Sequence, residues 1–313
     1  MKALITGGAG FIGSTLANRL QATGHHVRVI DDLSAGDQER LHPAIHFTRG
    51  DVGDKPKLWG LLNGVDCVYH LAARVSVPES VLYPREYNAT NVGGTVALME
   101  AMRDAGVKRV VLASSGAIYG EHPHLKVNED CAPKPTSPYA VSKLCAEHYV
   151  TTIGQLWGIE TVMLRIFNAY GPGQPLPLSH PPVIPQVLQQ MLWDGSVTIH
   201  GDGSQIRDFV YIDDVVSALV KAATAQNVDQ TMINIGSGVG TAINEIVRLA
   251  EKVLHRKAQV LHVHSNNGGV SRLVSDLNLA QTLLDYKPQI SLAEGLEKLV
   301  ALDKRFSDSQ VIV

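Results

Sequence analysis

Short apolar runs alternate with stretches of helical period through the first half of the chain. Residues 3–6, 27–30, 45–47, 67–69 and 109–114 are apolar or nearly so and read as strands. Their apolar character is continuous rather than alternating, which suits parallel strands covered on both faces. Between them, residues 12–22, 56–62 and 85–105 carry helical patterns. This repeated alternation predicts an α/β fold built on a doubly wound parallel sheet.

The next long helix opens at Ser137-Pro138, where serine can cap and proline takes the first helical position. It runs to about Trp157, and residues 161–166 read as a further strand. From Gly171 the texture changes. Pro172, Pro175, Pro177, Pro181, Pro182 and Pro185 predict a loop-rich insertion rather than sheet. Helices follow over 187–193, 213–225, 243–254 and 292–302, and residues 307–313 read as a loose tail. The expected organisation is a dinucleotide-binding domain over 1–170. Residues 171–313 then form mainly a smaller C-terminal substrate-binding lobe, with some segments returning to the main sheet. No internal repeat is evident.

Composition adds exclusions. The 313 residues are 45% hydrophobic and 18% charged, as in an ordinary globular protein. A net charge of −3 gives no electrostatic reason to expect nucleic acid or an anionic membrane as partner. Cys67, Cys131 and Cys145 have no paired or metal-like spacing, which fits a reducing cytoplasm. His25-His26, His122-x-His124 and His262-x-His264 are expected to be solvated loop or strand-edge histidines, and no metal is expected. The apolar run at the N-terminus is too short for a signal peptide, and no run is long enough to span a membrane.

Gly7-Gly8-Ala9-Gly10-Phe11-Ile12-Gly13 follows a strand and precedes a helix. Glycines there permit a tight turn and let backbone N–H groups approach a pyrophosphate at the helix N-terminus, the Rossmann-type arrangement. Both Gly7 and Gly8 fit as the first glycine. Asp31 ends the next apolar run, eighteen residues beyond Gly13. A carboxylate there can accept from the ribose hydroxyls and would repel a 2′-phosphate, which favours NAD over NADP. The plainer reading of Asp31 is a turn residue in Asp31-Asp32-Leu33-Ser34.

Tyr139 and Lys143 stand at i and i+4, one helical turn apart on one face. A phenol is a poor base at neutral pH. A nearby cation stabilises the phenolate, and Lys143 together with a positive nicotinamide would lower the Tyr139 pKa. Ser115 follows an apolar strand, at the carboxyl end where parallel sheets place ligands, and can hydrogen-bond a reacting hydroxyl. Ser115, Tyr139 and Lys143 are therefore the candidate catalytic residues.

Together these segments resemble the extended short-chain dehydrogenase/reductase family, specifically its nucleotide-sugar epimerases and dehydratases. The resemblance covers nearly the whole chain. Thr6 to Gly13 is similar to the family's N-terminal signature, so Gly7, Gly10, Phe11 and Ile12 are expected at the cofactor. Asp31, Asp32, Leu33 and Ser34, with Gly36, resemble its ribose turn, and Asp51 and Val52 the segment that holds adenine. Leu71, Ala72 and Ala73, and also Asn91, resemble segments lining the cofactor, which Tyr139 and Lys143 also touch. Leu164-Arg165-Ile166-Phe167-Asn168-x-Tyr170-Gly171-Pro172 and Gly201-Asp202-Gly203-x-Gln205-x-Arg207-Asp208-Phe209 resemble the substrate half. The resemblance implies that Asn168 and Arg207 hold a nucleotide diphosphate. The plainer reading of Arg207 is a surface ion pair with Asp202 or Asp208.

The resemblance also narrows the reaction. The family's 4,6-dehydratases carry an Asp-Glu pair directly after the catalytic hydroxyl residue, and its uronate decarboxylases usually a glutamate. Gly116 and Ala117 stand there instead and cannot act as acid or base. The implied activity is NAD-dependent 4-epimerisation of a nucleotide sugar, with a UDP-hexose or UDP-N-acetylhexosamine as substrate, through a transient 4-keto sugar. A dehydratase or reductase using Glu121 or Glu129 is the alternative enzyme, and a non-catalytic NAD-binding scaffold the alternative of another class. Related epimerases commonly carry an arginine where Asn266 stands. Arg272 takes over its phosphate contact, or the substrate is bound differently. Gly171-Pro172-Gly173-Gln174-Pro175 holds no arginine to support a uronate site, and the size of residues near Val75, Ser76, Ala117 and the 171–185 loop is expected to decide between hexose and N-acetylhexosamine. The resemblance further implies a homodimer packed through the helices near 85–105 and 137–157.

Overall fold

The computed structural model describes residues 1–193, 195–263 and 270–307. Its centre is a parallel sheet of β1 (Lys2–Thr6), β2 (His26–Asp31), β3 (His46–Arg49), β4 (Cys67–His70), β5 (Arg109–Ser115), β6 (Glu160–Ile166) and β10 (Thr231–Ile235). The spatial order is β10-β6-β5-β4-β1-β2-β3. The chain winds outward from β1 to β3, then returns to the other side of β1 and winds outward again. The reversal opens a crevice beyond the carboxyl ends of β1 and β4, where Gly7 and Leu71 begin their loops.

Alternation along each strand divides the core in two. Ile5, Val29, Tyr69, Val111 and Leu164 face one layer, and Leu4, Ile30, Val68, Val110 and Met163 face the other. The first layer is covered by α1 (Phe11–Ala22) and α8 (Ile212–Ala222), the second by α2 (Lys55–Leu61), α5 (Gly94–Ala105) and α6 (Pro138–Trp157). α6 starts as its sequence implies: the Ser137 hydroxyl accepts from the Ala140 N–H at 3.2 Å and Pro138 fills the first turn.

The predicted helix over 85–105 is interrupted. It divides into α4 (Pro84–Asn88), a π-helical turn over Ala89–Gly93, and α5. A wide turn carries an extra residue, which redirects the faces on either side. Here it turns Asn91 inward, and Gly94 packs against Val52 with no room for a Cβ. α3 (Val77–Leu82), with its Ser76 cap, was not anticipated.

Residues 171–182 form no regular element, as the prolines imply, but Pro185 lies in the first turn of α7 (Val183–Trp193). There proline loses no helical hydrogen bond. β7 (Asn168–Tyr170), β9 (Ile206–Tyr211), β11 (Gly240–Ala242) and β13 (Arg272–Leu273) make a small mixed sheet, and β8 (Ser196–His200) pairs with β12 (Gln259–Val263). α9 (Ile243–Leu254), α10 (Asn278–Leu284), α11 (Leu292–Leu302) and α12 (Lys304–Ser307) complete the order. Of the expected tail, Ser307 ends α12, and residues 308–313 lie outside the described residues. No described helix is long and apolar enough to cross a membrane.

The buried Asp208 carboxylate joins three segments here. It accepts from the Ser237 N–H at 2.7 Å and hydroxyl at 2.6 Å, the Gly238 N–H at 3.0 Å, and the Ser275 N–H at 3.1 Å and hydroxyl at 2.5 Å. Asp208→Ala leaves five donors facing a void. It is expected to cost about 3 kcal/mol or more, seen in urea unfolding as a lower midpoint at unchanged slope.

Candidate active site

The glycine loop fits a dinucleotide for steric reasons specific to each position. Gly7 has φ +67°, and a Cβ there would lie 2.6 Å from the Ala72 nitrogen. Gly13 leaves no space for a Cβ against the Gly7 carbonyl. Gly8 instead packs on Val29, so Gly7, Gly10 and Gly13 form the working set. Gly10 precedes α1 without a side-chain cap. The first-turn N–H groups, from Phe11 and Ile12 onward, are left for an anion, and the helix dipole favours one.

Asp31 is buried, and both of its oxygens already serve the loop. Oδ2 accepts from the Ala9 N–H at 3.0 Å and Oδ1 from the Leu33 N–H at 2.9 Å. Burial raises its pKa, and these backbone hydrogen bonds oppose the rise. Each oxygen keeps a second lone pair for a ribose hydroxyl. The ribose and turn readings of Asp31 are thus compatible. Gly36 lies over it, with a would-be Cβ 2.8 Å from Oδ1. Asp32 accepts from the Ser34 N–H at 2.9 Å and hydroxyl at 2.7 Å, and Asp51 from the Gly53 N–H at 2.6 Å, while Val52 is buried.

A buried polar chain fixes the opposite wall. The Ala72 N–H donates to Thr6 Oγ1 at 3.2 Å, and Thr6 meets His70 Nδ1 at 2.7 Å. His70 Nε2 meets Thr95 Oγ1 at 2.9 Å, whose hydroxyl donates to the Asn91 carbonyl at 2.6 Å. Since Thr95 spends its proton on Asn91, His70 donates from Nε2 and accepts at Nδ1. Burial, with Lys143 nearby, pushes the His70 pKa down to about 3, so the ring is neutral. Asn91 is expected at the cofactor. Its amide donates to the Arg74 carbonyl at 3.0 Å and Ser142 Oγ at 2.9 Å, and its Oδ1 accepts from the Arg74 N–H at 2.8 Å. It clasps the loop that begins with Leu71, Ala72 and Ala73 to α6. The Leu71 N–H donates to the Thr6 carbonyl at 3.1 Å.

Ser115, Tyr139 and Lys143 converge at the carboxyl end of β5. The Tyr139 hydroxyl is hydrogen-bonded to Ser115, whose Oγ also accepts from the Ala117 N–H at 3.1 Å. Lys143 Nζ is buried and donates to the Ala113 carbonyl at 2.9 Å. Burial raises the Tyr139 pKa, and the Ser115 hydrogen bond opposes the rise. Burial also brings Lys143 down to about 8, against the pull of Glu147.

Glu147, one turn beyond Lys143, was not singled out from sequence, although its i+4 spacing on α6 was available. It makes a bidentate pair with Arg165 at 3.0 and 2.9 Å and accepts from Ser114 Oγ at 2.5 Å. Arg165 also donates to the Tyr119 hydroxyl at 2.9 Å, which donates to Asn234 Oδ1 at 2.8 Å. Burial is the largest influence and disfavours the Arg165 cation, but the hydrogen bonds and charges of Glu147 and Tyr119 together outweigh it and raise the pKa.

In the small mixed sheet, Asn168 Nδ2 donates to the Asp208 carbonyl at 2.9 Å, and Oδ1 has no hydrogen-bond partner among the described residues. Arg207 forms no ion pair with Asp202 or Asp208: one carboxylate serves Ser204 and the other Ser237, Gly238 and Ser275. Its guanidinium donates to the Ile206 carbonyl at 2.9 Å. Burial lowers its pKa, with Glu121 as the opposing charge. Arg272 lies beside Ile206 in the register of β13 and β9. Glu121 accepts from the Ser271 N–H at 2.5 Å and from its hydroxyl. Glu129 accepts from the Asn234 N–H at 2.6 Å. Both alternative acids are therefore engaged in structure. Asn266 and its neighbours through Gly269 lie outside the described residues.

A family model, the NAD-dependent epimerase/dehydratase family, matches residues 3–236. The chain belongs to this family. The UDP-glucose 4-epimerase of Mycolicibacterium smegmatis is 38% identical over 308 residues, covering 96% of this chain and 97% of the relative. Among solved structures, UDP-glucose 4-epimerase of Thermotoga maritima with UDP-glucose superposes with TM-score 0.92 at 35% identity, over 96% of this chain and 98% of that one. UDP-N-acetylglucosamine 4-epimerase of Methanobrevibacter ruminantium, in complex with UDP-N-acetylmuramic acid, gives 0.92 at 31% identity over 99% of both.

The depressed Lys143 pKa makes a stability prediction. The unfolded chain binds this proton up to pH 10.5 and the folded chain only to about 8. Burying the cation therefore costs stability at and below pH 8, and the cost fades as pH rises towards 10.5. Lys143→Met should stabilise the ligand-free protein at pH 7 by about 1–3 kcal/mol and remove that alkaline rise. Urea unfolding across pH 7–10 reads both. Conversely, Arg165→Met should cost about 3–5 kcal/mol by stranding Glu147, and Arg165→Met/Glu147→Leu should recover most of it.

Proposed function

We propose that this chain is an NAD-dependent 4-epimerase of a UDP-hexose or UDP-N-acetylhexosamine. The observation that carries the reading is the convergence of Ser115, Tyr139 and Lys143 beside a glycine cradle, with Gly116 and Ala117 next to Ser115 and both nearby glutamates engaged elsewhere. Bound NAD supplies the hydride acceptor and, on return, the hydride donor, so it is regenerated in each cycle. Tyr139 takes the proton of the sugar 4-hydroxyl and later gives it back. Ser115 hydrogen-bonds the same oxygen and keeps it in line with Tyr139. The buried Lys143 cation, tethered to the Ala113 carbonyl, favours the phenolate once the proton has moved. Asn168, Arg207 and Arg272 hold the nucleotide diphosphate, leaving the sugar free to present either face of its 4-keto form.

The relatives and solved neighbours that carry the names UDP-glucose 4-epimerase and UDP-N-acetylglucosamine 4-epimerase support this substrate class. Residues 1–170 would then hold NAD and 171–313 mainly the substrate. The working form is a cytoplasmic homodimer packed through the helices around 85–105 and 137–157. Val141 and Tyr149 on α6, 47% and 46% exposed, support that face.

Purified protein, without added NAD, should invert C4 of UDP-glucose or UDP-GlcNAc in an NMR assay. UDP-glucuronate is the control, since residues 171–175 hold no arginine. A product short of one water would instead mark a dehydratase. Net NADH accumulation during turnover would overturn the cycle. Tyr139→Phe should lower kcat by about 10²–10⁴-fold with little change in KM. Unchanged turnover in that variant would leave only the scaffold reading.

A further inference from the structure

The segment 121–131 runs from the turn after β5 through the crossing where Val127 pairs with Ser275 to Cys131. It carries three side chains that the epimerase reading leaves without a task. We propose that His122, His124 and Cys131 form a binding site for one divalent transition-metal ion, with Zn²⁺ the best fit to two imidazoles and a thiolate.

The geometry points there on independent grounds. One ligand atom from each residue lies within 4.8 Å of the other two. The His122 and His124 rings are stacked, with centroids 4.7 Å apart and planes at 29°. Pro123 between them holds φ near one value and keeps His122 extended, so the two rings are presented together. His122 is partly exposed in its loop, but its Nδ1 is buried and has no hydrogen-bond partner among the described residues. An orphaned buried imidazole nitrogen is what a ligand would satisfy. Cys131 is buried, and its thiol donates to Asn128 Oδ1 at 3.2 Å. Ligation would release that proton to solvent. His124 is exposed, so a fourth position is open to water.

The site also has a place in the molecule. Glu121, adjacent to His122, holds the N–H and hydroxyl of Ser271, the neighbour of Arg272. A metal drawing residues 122, 124 and 131 together would brace this contact between the two halves. On the proposed epimerase reading, it would change KM for the nucleotide sugar more than kcat. Metal binding itself is independent of that reading.

The test uses tag-free full-length protein stripped with a chelator. Calorimetric titration with Zn²⁺ should show one saturable site per chain, and Co²⁺ should give a thiolate-to-metal charge-transfer band. Cys131→Ser should abolish the band. His122→Ala and His124→Ala should each weaken binding at least about tenfold. His122→Ala/His124→Ala/Cys131→Ser should lose the site with its circular dichroism unchanged. The inference fails if Zn²⁺ does not saturate a site, if Co²⁺ binds without the thiolate band, or if full-strength binding survives in the triple variant.

Discussion

Three charges are buried side by side beneath the reacting groups. Glu147 and Arg165 neutralise each other through two parallel hydrogen bonds, and Ser114 and Tyr119 fill further bonding positions. Such a pair is weak evidence for stability, because desolvation offsets most of its attraction. Its consequence is positional. Glu147 sits on α6, Ser114 on β5 and Arg165 on β6. The pair therefore fixes the helix that carries Tyr139 and Lys143 against the strand that ends at Ser115. It also leaves Lys143 as a buried cation whose one acceptor among the described residues is the Ala113 carbonyl, in a site that disfavours its charge. That penalty has a use when the cation is there to support a phenolate.

The cofactor crevice depends on a second constraint, the reversal of strand order at β1 and β4. Reversal brings the Gly7 turn against the Ala72 backbone so closely that no side chain fits between them. The chain of hydrogen bonds from Ala72 through Thr6, His70 and Thr95 to Asn91 then locks that wall to the π turn before α5. Each proton in the chain has one direction, which requires a neutral His70, and burial supplies the neutrality. The residues expected to touch NAD directly and the residues that hold them in place therefore belong to one connected network.

The small mixed sheet is assembled by different means. Its strands are short, and Asp208 on β9 gathers them by accepting from two further segments, at Ser237-Gly238 and at Ser275. The same bonds withdraw Asp208 from Arg207. A partly buried guanidinium, with Glu121 as its opposing charge, is suited to a diphosphate. Glu121 and Glu129, the acids that a dehydratase would need, are tied to Ser271 and Asn234.

Local chemistry in the chain determined the six parallel strands from β1 to β6, the glycine turn, the cap of α6 and the Tyr139–Lys143 spacing. Each depends on residues close in sequence: continuous apolar runs, glycines at fixed intervals, serine before proline, one helical turn. The break at Ala89–Gly93, the edge strand β10 and the small sheet of β7, β9, β11 and β13 were decided by tertiary contacts. Their sequences mix polar with apolar positions and acquire a partner only when distant segments meet. The same holds for charge. Lys143, Arg165 and Asp31 are visible as charges in the sequence, but burial and the neighbours that folding brings to them set their protonation and their freedom to act. No periodicity encodes the meeting of Arg165 with Glu147 or of Cys131 with His122, because each pair is joined by packing across the sheet or loop rather than along the chain.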